Sequence, residues 1–169
     1  MHIYIDGYNL IRQSADLKHF ERQSLEAGRH ALIAWLASYR QSKDHRITVV
    51  FDGWKEGSPV EERDVSRGIT IIFSGRGVKA DDVLKRIIAT SDEELLVVSS
   101  DREIASFAQR HGRAAVSSPE FEALVNRAAA DDGREEKDDE DRFQRVGKKG
   151  PARRPSRSRK LTLTKIRKL

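Results

Sequence analysis

Met1-His2-Ile3-Tyr4-Ile5-Asp6-Gly7-Tyr8-Asn9-Leu10-Ile11 opens the chain, and the fold is read outward from it. Ile3-Tyr4-Ile5 is a short β-prone run that stops at an aspartate, with glycine next and an asparagine three residues past the acid. In an open α/β sheet, ligands bind beyond the carboxyl ends of the strands, so an acid at that place faces a site. A glycine behind it lets the chain turn sharply without covering the site. The plainer reading is that Asp6 ends a strand or caps a turn, as Asp and Asn often do. One occurrence does not separate the two readings. What weighs for a site is that a strand followed by a carboxylate recurs twice downstream.

Ile47-Thr48-Val49-Val50-Phe51 is a continuous apolar run, as expected of a strand buried on both faces, and it ends at Asp52-Gly53. Ile69 to Phe73 is another such run, followed by the turn Ser74-Gly75-Arg76-Gly77. Leu95 to Val98 is a further strand, closed by Ser99-Ser100-Asp101, and Ala114-Ala115-Val116 is a weak last one.

Helical signals alternate with these strands. Ser24 is an N-cap, and Leu25, Leu32, Ile33, Leu36 and Tyr39 recur at helical spacing, which predicts a helix over 25–41. Lys79-Ala80-Asp81-Asp82 leads into a second helix with Val83, Leu84, Ile87 and Ile88. Ile104, Ala105, Phe107 and Ala108 form a third, which Gly112 should terminate. Ser118-Pro119 starts a fourth, with Phe121, Leu124 and Val125 facing inward. Arg12 to Gln23 is polar and reads as a loop, and Trp54 to Gly68 as a long, charged, exposed one. Strands alternating with helices predict an α/β fold with a parallel, doubly wound sheet of about five strands.

Charge divides the chain. Of 169 residues, 32 are Lys or Arg and 27 are Asp or Glu. Residues 131–169 hold 14 basic and 8 acidic residues, a net of +6, which leaves 18 basic and 19 acidic in residues 1–130, a net of −1. The expected organisation is therefore a domain over 1–130 and an acidic-then-basic tail over 131–169, largely disordered by composition. Arg142 to Leu169 carries 12 basic residues and no acidic one. Such a tail suits nucleic acid. The absence of cysteine excludes disulfides and thiolate chemistry. No apolar run approaches the ~20 residues of a membrane span, so a soluble, cytoplasmic protein without a membrane partner is expected.

The acids then carry the chemistry. Asp6, Asp52 and Asp101 follow strands, and Asp81 and Asp82 begin a helix, where carboxylates are also favoured by the free N–H groups and the dipole. Parallel strands deliver their C-terminal ends to one edge, so these residues can converge despite their separation in sequence. Clustered carboxylates raise one another's pKa unless a cation neutralises them, and hard cations such as Mg²⁺ or Mn²⁺ take oxygen ligands. Few protein ligands with open water positions suit phosphoryl transfer.

Ile5-Asp6-Gly7-Tyr8-Asn9-Leu10-Ile11, Val49-Val50-Phe51-Asp52-Gly53, Ala80-Asp81-Asp82 and Ser99-Ser100-Asp101 together resemble the NYN domain nucleases, specifically the YacP-like group within the PIN-like fold. The resemblance covers about residues 1–130 and implies a three-layer PIN-like domain with metal-dependent endoribonuclease activity. It implies Asp6, Asp81 and Asp101 as metal-binding acids. It also implies Asn9 as the group that positions a ligand or metal water, and Asp52 as a support. Asp82 is the less certain half of its pair, because a helix start turns it partly aside. Arg29 reads as a solvated helix arginine, with a phosphate contact as the functional alternative. The expected partners are RNA, whether mRNA or rRNA, and the ribosome.

Three rival readings meet specific objections. A haloacid-type phosphatase needs a second aspartate two residues after the first, where Tyr8 stands. A dinucleotide site lacks a third glycine after Gly75-Arg76-Gly77. A non-catalytic RNA-binding adaptor would gain nothing from uncompensated negative charge close to phosphates.

Overall fold

The computed structural model describes residues 1–53 and 58–132. β1 (His2–Asp6) shows how the sequence builds the sheet: Ile3 and Ile5 are fully buried on one face, while Tyr4 packs on the other. The same two-residue alternation runs through β2 (Arg46–Phe51), β4 (Ile69–Phe73), β5 (Leu95–Val98) and β6 (Ala114–Val116). Ile47, Val49 and Phe51 share the face of Ile3, and Val50 takes the opposite one. Both faces are apolar because both are covered, as a parallel sheet requires.

Helices α1 (Gly7–Gln13), α2 (Ala15–Glu21), α3 (Leu25–Ser42) and α6 (Ser118–Asp132) cover the first face with Leu10, Ile11, Leu17, Leu32, Leu36, Phe121 and Val125. Helices α4 (Ala80–Thr90) and α5 (Arg102–Arg110) cover the second with Val83, Leu84, Ile88 and Ile104. Each fully buried Leu, Ile or Val contributes roughly 2 kcal/mol relative to exposure. The result is the expected three-layer α/β/α arrangement.

The sheet has six strands in the order β3-β4-β2-β1-β5-β6, with every pairing parallel except β3 with β4. The chain winds outward from β1 through β2 to β4, then crosses back to β5 and β6 on the other side. The winding reverses between β1 and β5, and a doubly wound sheet opens its ligand crevice at that point.

Two expectations need correction. The expected loop from Trp54 to Gly68 contains β3 (Glu62–Ser66), antiparallel to β4 through a two-residue turn at Arg67 and Gly68, both with positive φ. Positive φ at both central residues is the turn geometry that matches strand twist in hairpins. Four of the five β3 residues are exposed, so the strand shows no apolar alternation. Its charges suit an edge.

The expected loop from Arg12 to Gln23 is likewise two short helical turns, α1 and α2. Buried Ser14 joins them: its N–H donates to Leu10 and its hydroxyl accepts from the Leu17 N–H at 3.2 Å. The predicted domain end near residue 130 lies inside α6. The tail falls outside the described residues from 133 onward. Among the described residues, no helix is long and apolar enough to cross a membrane.

Candidate active site

Asp6-Gly7-Tyr8-Asn9 assigns one task to each residue. Asp6 is the last residue of β1 and the N-cap of α1, 8% exposed, accepting the Asn9 N–H at 3.1 Å. Gly7 is required by contact rather than by its backbone angle: a Cβ there would lie 2.3 Å from the Phe51 ring. Tyr8 packs edge-on against Phe51, and its hydroxyl accepts from Arg29 at 2.9 Å. The Asn9 side-chain carbonyl accepts the Ser100 N–H at 2.9 Å and the Ser118 hydroxyl at 2.8 Å. Asn9 thus ties β1 to the loop after β5 and to the start of α6.

That loop delivers the next acid. Asp101 caps α5, accepting the N–H groups of Glu103 at 2.6 Å and Ile104 at 3.3 Å. Ser99, buried at the end of β5, donates its hydroxyl to Asp6 at 3.3 Å and accepts the Asp101 N–H at 3.1 Å. One serine therefore fixes two acids that lie 95 positions apart. Sequence reading did not single out Ser99. Its only signal was its place between a buried strand and an acid.

Asp52, exposed after β2, accepts the Ala80 N–H at 2.6 Å and so anchors the first turn of α4. Asp81, half-buried, sits in that turn. Asp82 is exposed and accepts the N–H of Lys79 at 3.4 Å, so it closes its own helix start.

The acids feel one another. Burial pushes the Asp6 carboxyl up to about 6, and the charges of Asp81 and Asp52 push the same way, against hydrogen bonds from Asn9 and Ser99. Asp81 is also raised, first by burial, then by Asp101 and Asp52, with Lys85 and Lys79 opposing. Among the described residues none of the four makes a salt bridge. Asp6, Asp52, Asp81 and Asp101 thus form an electrostatically coupled acidic group without a salt bridge among the described residues, with Lys85 and Lys79 opposing it only from a distance.

As the side chains lie, no group of three or more His, Cys, Asp or Glu among the described residues is arranged to hold an ion. Asp6 and Asp101 each commit an oxygen to a helix cap, and ligation requires side-chain rotation. The donor chemistry nonetheless fits a divalent cation: hard carboxylate oxygens, two of them on acids with raised pKa (Asp6 and Asp81), and no salt bridge among the described residues.

One residue differs from expectation. Arg29 is half-buried rather than solvated, bonded to Tyr8 with its guanidinium 5.5 Å from the Phe73 ring centre. His2 stacks on Tyr4 and bonds to Thr48 at 2.8 Å, at the sheet's opposite end from the acids.

With this geometry in place, comparison with known families is decisive. The model of the YacP-like NYN domain matches residues 3–168. This chain belongs to the YacP-like NYN domain family. It is 28% identical over 85 residues to the uncharacterized protein YacP of Bacillus subtilis (strain 168), a match spanning 50% of this chain and 49% of that one. The chain thus spans about half the length of the curated relative it matches. Among solved structures it is similar to Rae1 (YacP) from Bacillus subtilis, with a TM-score of 0.62, 24% identity and coverage of 80% and 79% of the two chains. A mutant form of that protein superposes with a TM-score of 0.64 at 22% identity, covering 79% of each chain. These likenesses establish the fold. Membership of the NYN family adds a nuclease-like fold and supports a ribonuclease-type function.

Proposed function

We propose that this protein is a divalent-cation-dependent endoribonuclease that hydrolyses phosphodiester bonds in RNA at the acidic crevice between β1 and β5. The observation that supports the reading is the electrostatic coupling of Asp6 to Asp81 and Asp52, and of Asp81 to Asp101 and Asp52, at strand ends near the point where the sheet reverses, with no salt bridge to any of them among the described residues. A structural role explains each acid singly, since Asp6, Asp52 and Asp101 all cap helices. It does not explain why Asp81 feels the charges of both Asp52 and Asp101, or why Asp6 feels those of Asp81 and Asp52.

Asp6, Asp81 and Asp101 would hold Mg²⁺ or Mn²⁺, with Asp82 outside the first set. When bound, such an ion supplies charge neutralisation at the leaving oxygen and activation of water. The protein's own contribution is placement. Ser99 holds Asp6 and the Asp101 backbone in one register, and Asp52 fixes the turn that presents Asp81. Asn9 spends its carbonyl oxygen on Ser100 and Ser118, which leaves its NH₂ group for a ligand. No protein nucleophile is required.

The test is cleavage of single-stranded RNA in Mg²⁺ or Mn²⁺ by the parent and by Asp6→Asn, Asp81→Asn, Asp101→Asn and Asp82→Asn. The first three should lose at least about a hundredfold in rate while keeping the fold. Asp82→Asn should keep most activity and lose under about 1 kcal/mol of stability. Mn²⁺ should raise the melting temperature of the parent and not of Asp81→Asn. A parent that binds RNA without cutting it, and gains no stability from metal, would instead be the RNA-binding adaptor.

A further inference from the structure

A second feature lies beside the acids, at the ends of β2 and β4. A cleft of about 220 Å³ is lined by Arg29, Asp52, Phe73 and Glu62 among others. Arg29 reaches it from α3, steadied by the Tyr8 hydroxyl and lying over the Phe73 ring. Phe73 itself stacks on Phe51, with ring centres 5.7 Å apart. Among the described residues Arg29 has no carboxylate partner, and one of its five N–H donors is used, on Tyr8. A half-buried guanidinium held in one orientation with donors to spare is built to receive an anion.

The cleft is not a general anion trap, because Asp52 and Glu62 also line it. Both carboxylates are acceptors that a sugar hydroxyl can satisfy. A singly charged phosphodiester with its ribose meets both halves of that lining, whereas a doubly charged terminal phosphate meets the acids unfavourably. β4 lies two strand spacings from β1, about 10 Å, so an RNA strand crossing the acidic crevice continues into this cleft.

We propose that the Arg29 cleft is a substrate subsite that grips an internal phosphodiester of single-stranded RNA on one side of the scissile bond. This rests on the nuclease reading above for its substrate. Tyr8 acts there as a positioning residue: it belongs to the same opening motif as Asp6 and aims Arg29, so the motif that places the acid also sets the strand's register.

The experiment measures binding and cleavage separately on the full chain. Binding uses a short single-stranded oligoribonucleotide of mixed sequence with chelator present. Cleavage uses the same RNA with Mn²⁺. Arg29→Met should weaken binding about tenfold, the scale of a charge-assisted hydrogen-bonded pair. It should also lower the salt slope by about 0.7, one phosphate on a single strand. Its effect should fall on KM, with kcat near the parent value. Arg29→Lys should recover the salt slope and only part of the affinity, and Tyr8→Phe should behave as a milder Arg29→Met.

The decisive arm scans one uncharged methylphosphonate linkage along the RNA. One position should weaken the parent and leave Arg29→Met unaffected, a chemical double-mutant cycle. If no linkage shows that coupling, or Arg29→Met binds like the parent, the subsite is refuted while the nuclease reading stands. If coupling appears and no variant or parent cleaves, the subsite stands and the nuclease reading falls.

Discussion

Asp6 ends a strand, is 8% exposed and lies near two further acids, so ionising it in the folded protein costs free energy. Its carboxyl titrates at about 6 in the fold against 3.8 for an unperturbed aspartate, with burial the leading cause. The folded state therefore holds the proton more tightly than the unfolded one. Stability from this group is complete below about pH 4 and is lost as pH rises through about 6. Near neutral pH the loss is about 3 kcal/mol. Asp6→Asn removes the titration while its carbonyl can still accept the Asn9 N–H. Melted in chelator, the variant should be more stable than the parent by that order near pH 7, and should lose the parent's decline between about pH 4 and 6. Equal melting of the two proteins across that range would show that Asp6 is not the strained acid.

At the scale of elements, close approach decides what the opening motif can hold. α1 begins directly after β1 because Gly7 lets the helix start lie against Phe51, the last residue of β2. Gly7→Ala places a methyl 2.3 Å from that ring. It should cost about 2–3 kcal/mol, the range for overpacking a filled core. Phe51→Leu in the same chain should recover part of this, since the shorter side chain withdraws the offending atoms. Denaturant unfolding of the two single variants and the double variant checks it. Additive losses would mean that Gly7 matters through its backbone and not through Phe51. Gly53 makes an even closer approach, with a Cβ position 1.8 Å from the Ser74 carbonyl oxygen. Both glycines thus serve packing at the strand ends where the acids stand.

For the molecule as a whole, charge is divided unevenly along the chain in a way that bears on the proposed function. Residues 1–130 carry a net of −1, and the acids at the strand ends repel a polyanion, whereas residues 131–169 carry +6. Affinity for RNA should therefore come largely from the basic stretch, supplemented by Arg29. Replacing Arg153, Arg154, Arg157, Arg159 and Lys160 by glutamine should flatten the salt dependence of RNA binding, by about 0.7 for each phosphate no longer neutralised. Cleavage at saturating RNA should change little. Titrations at several salt concentrations decide this. An unchanged slope would mean that residues 1–130 bind RNA unaided and that the basic stretch serves another partner, such as the ribosome.

The sequence by itself determined the buried strands, the capped helices and the residues that follow them, because those signals are local. A continuous apolar run shows a strand covered on both faces, and Ser24 before Leu25 shows a helix start. β3 escaped that reading since an exposed edge strand needs no apolar run, while α1 and α2 escaped it because seven residues each are too few to show a helical period, and α2 buries only Leu17. The same serine signal that revealed α3 was present at Ser14. Tertiary structure alone decided which acids meet and what holds them. Asn9 finds its partners 91 and 109 residues away, and Ser99 reaches Asp6 across 93. Arg29 leaves solvent only because α3 lies over the ends of β2 and β4. Such pairings depend on strand order and winding, which the long-range fit of two cores selects and no local pattern specifies.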